Sequence, residues 1–324
     1  MLARLPLALV AGLAGGFLFV AMVMLGPILG TIPWLVAPMP VIAAGLLLGW
    51  SGALVAGTVA VVALALMSLN PALVGLYLMS DALPALVILW LALRPAPGVS
   101  HPDPRRPEHW GAPGRILVWL TVLSATGLLL AAMVAGGPLA DPVRVTVEQV
   151  VDDMAALSAD ATVAEAVTDP AVRGPLVESL VSVIPGAMAM VWTIRAALAG
   201  VLAMALVSRL GRPVRPRPVY SATRVPAWYG VLFAAVLAMS MLGGEIGYVA
   251  WSATVALSLP FVVLGLKLVH LVARKTPAPG VLLVVFYVVL FASAIGLVAV
   301  VFAGLVEFAT DLRRDAGGRS MEDE

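Results

Sequence analysis

Long apolar stretches follow one another along the chain, and short polar loops separate them. The stretches lie at residues 5–25, 32–48, 51–69, 71–93, 116–134, 177–207, 227–242, 248–272 and 281–308. Most approach or exceed the ~20 residues that a helix needs to cross a bilayer. The pattern therefore predicts an all-α protein, a polytopic transmembrane helical bundle of about nine spans.

Two stretches deviate from a simple span. Pro33, Pro38 and Pro40 interrupt the second one, which predicts a short span preceded by a non-helical entry. The last stretch, 281–308, is long enough for one tilted helix or for two short ones. These two alternatives put the C-terminal tail on opposite sides of the membrane.

Charge predicts the orientation. Arginines dominate the loops 94–115 and 209–224, whereas acidic residues dominate the segment 137–176. Because positive loops stay on the cytoplasmic side, the N-terminus should be cytoplasmic and the acidic segment should lie outside, in a bacterial inner membrane. The predicted organisation is a four-span unit (1–93), an Arg-rich loop (94–115), span five (116–136), the acidic segment (137–176), a long span (177–208), a second Arg-rich loop (209–224), C-terminal spans (225–308) and a polar tail (309–324).

The acidic segment contains apolar residues at helical spacing. Within residues 145–167 these are Val147, Val150, Val151, Met154 and Leu157. The spacing predicts an amphipathic outer helix with these five side chains on one face, directed at the bundle or at the membrane surface. The helix could rest on the outer surface, it could cover the mouth of a cavity, or it could be a solvated connector.

Composition agrees with a membrane protein, since 62% of the residues are hydrophobic and 11% are charged. The chain has no cysteine, which excludes disulfides and thiolate ligands. Neither a phosphate-binding loop nor a metal-ligand spacing occurs in the sequence. We therefore expect no cofactor, no metal and no nucleic-acid partner, and the lipid bilayer is the expected environment.

Two single charges occupy the centres of apolar spans. Asp81 and Arg195 would each cost roughly 2.5–3.5 kcal/mol at mid-bilayer, so we expect them to neutralise each other. Ser80 precedes Asp81, and Pro84 has no N–H to donate to the Ser80 carbonyl, which weakens the helix there. Such a polar, locally opened helix is typical of midplane binding sites. A purely structural ion pair is the alternative.

Further candidates for a ligand site are predicted on the outer side of the membrane. They are Trp34, Asn70, Tyr77, Glu245 and Tyr248. Trp34 and Tyr248 are also typical of an interfacial belt, and the alternative for Glu245 is a solvated position at the outer turn.

The first span has small residues at every fourth position. Ala8, Gly12 and Gly16 form a ridge along which another helix could approach closely. The approaching helix could belong to a partner membrane protein or to the chain's own bundle.

One pattern points to an enzyme. The sequence Gly-Trp-Ser-Gly at 49–52 resembles the motif of rhomboid-type intramembrane proteases, with Ser51 as nucleophile and His270 as base. Glycines at a tight turn between two spans explain the same residues without chemistry. We therefore expect no enzymatic activity.

Several stretches resemble known families. Pro-Met-Pro at 38–40, Gly-Leu-Leu-Leu-Gly-Trp at 45–50 and Gly-Ala-Leu-Val-Ala-Gly at 52–57 are similar to the substrate-binding S components of energy-coupling factor transporters. Arg-Val-Pro at 224–226, Leu-Pro-Phe at 259–261, the segment 265–270 and Asp-Leu-Arg-Arg at 311–314 resemble the YybS-like family of bacterial membrane proteins. The resemblance implies an S-component-like helical core. It also implies that the small-residue ridge of the first span lies where S components dock their transmembrane coupling partner.

These observations leave two main hypotheses for function. The first is a non-enzymatic inner-membrane protein that binds a small molecule or lipid in a cavity near Asp81 and Arg195, as a transporter or substrate-capture component. The second is a membrane scaffold or assembly factor with a structural charge pair. An intramembrane hydrolase is third.

The predicted orientation can be tested by labelling. Because the chain has no native cysteine, a single cysteine at Ala155 should react with an impermeant thiol reagent in intact cells. A cysteine at Arg215 should react only after the membrane is permeabilised. The reverse pattern would contradict the orientation.

Overall fold

The computed structural model describes residues 5–68, 70–134, 136–158, 168–210, 213–218 and 223–320, and its regular elements there are helices. The helices are α1 (Leu5–Leu29), α2 (Thr31–Val36), α3 (Met39–Leu48), α4 (Trp50–Ser68), α5 (Pro71–Tyr77), a π-helical turn (Leu78–Ala82), α6 (Leu83–Ala92), a 3₁₀ turn (Pro107–His109), α7 (Pro113–Val134), α8 (Ala140–Leu157), α9 (Pro170–Leu210), α10 (Ala227–Met239), α11 (Gly244–Leu257), α12 (Leu259–Ala273), α13 (Pro279–Ala292) and α14 (Ala294–Ser320). An all-α fold is confirmed.

Eight helical segments in the described part of the chain are long and apolar enough to cross a membrane. They correspond to eight of the nine predicted spans. The exception is the seventh predicted span, 227–242, where α10 has only 13 residues. The last predicted span divides into α13 and α14 at Ser293, whose backbone is extended. At ~1.5 Å per residue, the 14 residues of α13 cover about 21 Å, less than the ~30 Å hydrocarbon core.

The second predicted span also divides into two helices, but its entry is helical. Pro33 lies in the first turn of α2, and Pro40 lies in the first turn of α3. A proline is tolerated in the first turn because the N–H it lacks has no helical partner there. The prediction of a non-helical entry was therefore wrong. Only Pro38, just before α3, coincides with the break.

The chain folds into two compact units, neither of which is continuous in sequence. Unit 1 comprises Met1–Leu120 and Trp192–Val225, and unit 2 comprises Thr121–Val191 and Pro226–Glu324. The core of unit 1 is formed by α3, α4, α6 and the second half of α9. Its central side chains include Ile42, Ala56, Leu89 and Ala199, all of which are fully buried.

Helix α1 packs against α4 in unit 1 along the small-residue ridge. Ala8 is buried, and a Cβ added to Gly12 would lie 2.4 Å from the carbonyl oxygen of Ala56. A Cβ on Gly16 would lie 3.2 Å from the carbonyl oxygen of Ala60. The ridge is therefore occupied by the chain's own α4.

Unit 2 has a similar close contact between α12 and α14. A Cβ on Gly304 would lie 1.8 Å from the Phe261 carbonyl oxygen, and one on Gly265 would lie 2.1 Å from that of Val300. Only glycine allows two helix backbones to approach this closely. Aromatic rings pack around this contact; they belong to Phe261, Tyr229, Phe233 and Phe308.

The amphipathic helix is present as α8, and only part of its apolar face is buried. Val147 and Val151 are buried against Val177 and Val181 of α9. The other three predicted members of the face are exposed: Val150, Met154 and Leu157. α9 therefore covers only one side of α8, and only two of the five side chains are directed at the protein. That the other three face the membrane surface stays a prediction. Residues 159–167 of the predicted helix lie outside the described part of the chain.

Candidate functional site: a buried arginine–aspartate pair

Arg195 and Asp81 form an ion pair in the interior of unit 1, as their matching depth in the sequence predicted. Arg195 is on α9, and its Nη2 donates to Asp81 Oδ1. Ser80 Oγ donates to the second carboxylate oxygen of Asp81, Oδ2. Both carboxylate oxygens therefore accept a hydrogen bond from a side chain.

The remaining nitrogens of Arg195 donate to two backbone carbonyls. Nε is 2.6 Å from the carbonyl oxygen of Trp34, and Nη1 is 3.1 Å from that of Ser80. Each of these residues is followed four positions later by a proline, Pro38 and Pro84 respectively. A proline has no N–H, so the carbonyl four residues before it has no α-helical donor. The guanidinium supplies both missing donors.

The backbone around Asp81 is a π-helical turn. Residues Leu78–Ala82 have π geometry, and the N–H of Leu83 donates to Leu78 O, five residues back. The ring of Pro84 collides with the Ser80 carbonyl in a regular α-helix, and widening the turn relieves that collision. The wider turn also leaves the Ser80 oxygen accessible to Arg195.

The pair is sealed from solvent. The side chain of Asp81 is 0% exposed and that of Arg195 is 1% exposed. The guanidinium carbon lies 5.0 Å from the centre of the Trp34 ring, so an aromatic ring is also in contact with the cation. All three nitrogens of Arg195 have acceptors within unit 1, so the charge is satisfied by protein groups alone.

Tyr77 lies beside this cluster with an unsatisfied hydroxyl. The residue is fully buried one turn before Asp81, and its ring packs edge to face on Phe19 with centroids 5.3 Å apart. Its Oη has no hydrogen-bond partner among the described residues. A buried hydroxyl without a partner is destabilising.

The other candidate residues are not part of this cluster. Asn70 is exposed, and its side chain caps α5 by accepting from the N–H of Ala72. Glu245 and Tyr248 belong to unit 2, where Glu245 Oε1 accepts from the N–H of Leu139 at the start of α8, at 2.8 Å. The hydroxyl of Tyr248 donates to the carbonyl oxygen of Val181 on α9. These two side chains therefore connect α11 with α8 and α9 within unit 2.

Two exposed ion pairs also connect α8 with the beginning of α9. Arg144 is 2.8 Å from Glu178, and Arg173 is 2.5 Å from Asp152. The hydrogen bond from Arg173 lowers the pKa of the Asp152 carboxyl. Exposed pairs of this kind contribute little stability. The valine contact between the two helices contributes more.

The residues of the protease-like motif lie at a helix boundary. Gly49 ends α3 with a φ of 80°, a conformation that favours glycine, and Ser51 is exposed in the first turn of α4. His270 belongs to unit 2, and its Nδ1 is 2.8 Å from the Leu266 carbonyl oxygen. In the part of the chain that the structure describes, no group of three or more His, Asp or Glu side chains could hold a metal ion.

Other charges, which were not among the predicted site residues, are also shielded from solvent. Arg215, in the loop predicted to be cytoplasmic, is 2% exposed, and its Nη1 donates to Ala92 O at 2.8 Å and to Gly111 O. Lys267 and Glu307, half-buried on α12 and α14, form a 3.3 Å ion pair. Both lie within apolar spans, the same signal that identified Asp81. Arg215 is buried and Arg217 is exposed. Arg217 is therefore the better position for the cysteine that should react only after the membrane is permeabilised.

The fold and the charge pair are those of a polytopic membrane protein. Residues 108–307 match the family described as "Predicted membrane protein (DUF2232)", and the chain belongs to that family. The matched part includes Arg195 but not Asp81. No curated protein and no solved structure matches the chain.

We predict that removing one member of the pair destabilises unit 1 strongly. Asp81→Ala leaves Arg195 buried without a counter-charge, which should reduce the free energy of unfolding by about 3–5 kcal/mol. The double variant Asp81→Leu/Arg195→Met should recover only part of that loss, because it removes both charges but leaves the Trp34 and Ser80 carbonyls without their donor. Denaturant titration in mixed micelles measures both.

Glu178→Ala is the control for this experiment, because it breaks an exposed ion pair and should change stability by less than ~1 kcal/mol. If Asp81→Ala has no larger effect than Glu178→Ala, the charge pair does not stabilise unit 1.

Proposed function

We propose that this protein is a non-enzymatic membrane scaffold or assembly factor, in which the Asp81–Arg195 pair fixes the helices of unit 1 and does not bind a ligand. One observation carries the proposal: the pair is sealed from solvent, and every nitrogen of Arg195 and both oxygens of Asp81 have partners. A preformed binding site would instead offer a ligand some polar atom without a partner.

A ligand at this site would first have to break existing bonds. Separating a buried ion pair costs roughly 3–5 kcal/mol, and the ligand would have to compensate both charges and both freed carbonyls. A scaffold has no such cost, because it requires only a fixed arrangement of helices. The guanidinium bonds to three positions on two other segments, Trp34, Ser80 and Asp81, and so provides that arrangement.

A scaffold in a membrane binds its partners through lipid-facing helices. Val298 and Phe302 on α14 are 67% and 68% exposed, and Val10 and Phe17 on α1 are each 62% exposed. The eight candidate spans are least buried along the segment Ile295–Arg314, which belongs to α14. We propose α14 as the partner-binding helix, with α1 as the matched comparison.

Photo-crosslinking in living cells tests this proposal. A photoreactive amino acid at Val298 or Phe302 should give a discrete protein adduct, whereas the same group at Val10 or Phe17 should give mainly lipid adducts. The adduct should persist in the Asp81→Leu/Arg195→Met variant, since α14 belongs to unit 2 and the charge pair to unit 1. Only lipid adducts at all four positions would contradict the scaffold proposal.

A second candidate function is capture of a small polar molecule, and it rests on the hydroxyl of Tyr77. That hydroxyl is buried without a partner among the described residues, beside a π-helical turn, and such turns are frequent at functional sites. The resemblance of the N-terminal segments to S components also favours capture. Opening of the turn would expose Tyr77, Ser80 and Asp81 together.

Replacing Tyr77 with phenylalanine distinguishes the two functions. In a scaffold, Tyr77→Phe removes only an unsatisfied hydroxyl and should leave stability unchanged or raise it by up to ~1 kcal/mol. Tyr229→Phe is the matched control, because the Tyr229 hydroxyl bonds to Thr121 and to the Leu257 carbonyl oxygen, and its loss should cost ~1–3 kcal/mol.

Native mass spectrometry of gently purified protein provides the second measurement. In a scaffold, wild type and Tyr77→Phe should carry the same bound masses. A small molecule that is retained by the wild type and by Tyr229→Phe, but lost from Tyr77→Phe, would establish capture instead.

A further inference from the structure

A cavity in unit 1 lies away from the charge pair, where α6 ends and α7 begins. Its volume is about 370 Å³, within the range of small-molecule sites. It lies between the loop that joins α6 to α7 and the segment 213–218. Four prolines, two alanines and Trp110 form most of its wall. The cavity is therefore an apolar cleft at the level where helices leave the membrane.

The loop that forms this cavity has a defined structure. The N–H of Ala96 donates to His109 O at 2.9 Å, and the N–H of Gly111 donates to Arg94 O at 3.0 Å. The indole Nε1 of Trp110 donates to Asp103 O at 3.1 Å, and the residue is 6% exposed. The aromatic wall of the cavity is thus fixed by hydrogen bonds before any ligand arrives.

Close packing fixes the floor as well. A Cβ on Gly111 would lie 2.2 Å from the Leu91 carbonyl oxygen, so the loop backbone lies directly on the end of α6. Arg215 bridges the same two segments by donating to Ala92 O and to Gly111 O. The site is preorganised, which reduces the entropy lost when a ligand binds.

The charges that line the cavity are net positive. They are Arg115, Arg215 and Glu108, and Arg115 is exposed at the start of α7. Arginine guanidinium groups suit phosphate and carboxylate oxygens because they donate several N–H bonds in one plane. The position at the membrane boundary favours phosphate, because phosphate groups of phospholipids lie at this level.

We propose that this cavity binds a phosphate-bearing anion, with Arg115 as the principal contact and Trp110 and the prolines packing against the rest of the ligand. The phosphate belongs either to a phospholipid headgroup that enters from the bilayer or to a soluble phosphate ester. Both sources have the same chemistry, and binding experiments distinguish them.

The soluble source is tested with glycerol 3-phosphate by isothermal titration of detergent-purified protein. Glycerate, in which a carboxylate replaces the phosphorylated CH₂ group, is the comparison probe and should bind more weakly. The lipid source is tested with phosphatidylglycerol against phosphatidylcholine in nanodiscs, with retained lipid detected by native mass spectrometry. Binding of either phosphate probe supports the proposal and identifies the source.

Arg115→Gln should weaken binding of the phosphate probe by about tenfold or more, the effect of one lost charge-assisted hydrogen bond. Arg217→Gln is the matched control: it removes the same charge from an exposed position that does not line the cavity, and should change binding less than about twofold. Ala112→Phe fills the cavity without changing charge and should also abolish binding.

Three results would overturn the proposal. They are binding of neither phosphate probe, equal losses in Arg115→Gln and Arg217→Gln, or glycerate binding as tightly as glycerol 3-phosphate. Equal losses would indicate a diffuse attraction to the arginine-rich loops. Circular dichroism shows whether each variant folds. Arg115→Gln and Arg217→Gln should both fold, because each replaces an exposed arginine and removes no core contact.

Discussion

The structure of unit 1 depends on how one buried guanidinium is satisfied. Arg195 carries a full charge and hydrogen-bond donors on three nitrogens into a solvent-free interior, where any unpaired member would cost several kcal/mol. Asp81 neutralises the charge but accepts only one of the bonds. The remaining acceptors have to come from the backbone, and a regular helix has no carbonyl to spare.

Proline provides those acceptors. Pro38 and Pro84 each deprive a carbonyl of its helical donor, and those two carbonyls, of Trp34 and Ser80, accept from Arg195. A carbonyl without a donor and a buried arginine are each costly alone in a membrane. Here the two carbonyls and the guanidinium satisfy one another. The arrangement also fixes α2 and the π-helical turn relative to the second half of α9, since moving any one of them would leave both a donor and an acceptor unsatisfied.

Part of this site was predictable from the sequence. The pairing follows from two opposite charges at similar depth, and the free carbonyl of Ser80 follows from Pro84. The free carbonyl of Trp34 has the same signal, Pro38 four residues later, but the sequence analysis placed Trp34 by its ring, which indicated an interfacial position. Arg215 was not among the predicted site residues. Its burial depends on contacts with Ala92 and Gly111, which are distant in the sequence.

The helical class and most spans follow from the lengths of the apolar stretches. Which helix packs against a given helix face does not follow from them. Val147 and Val150 are alike in sequence, but α9 covers only Val147. The same limit explains why the ridge of α1 could not be assigned to α4 beforehand, since small residues pack equally well against any helix.

The two buried arginines of unit 1 are satisfied in the same way. Both are held by carbonyls without helical donors, Arg195 by those that proline frees and Arg215 by those at the end of α6 and in the adjoining loop. Arg195 is enclosed by Trp34, the π-helical turn and Asp81. Arg215 instead lines a cleft, with the exposed Arg115 close by. Arg195 and Arg215 are both sealed and hold backbone segments together, whereas the exposed Arg115 borders a preformed cleft. This difference is why we propose a ligand site in unit 1 beside Arg115 and not at the Asp81–Arg195 pair.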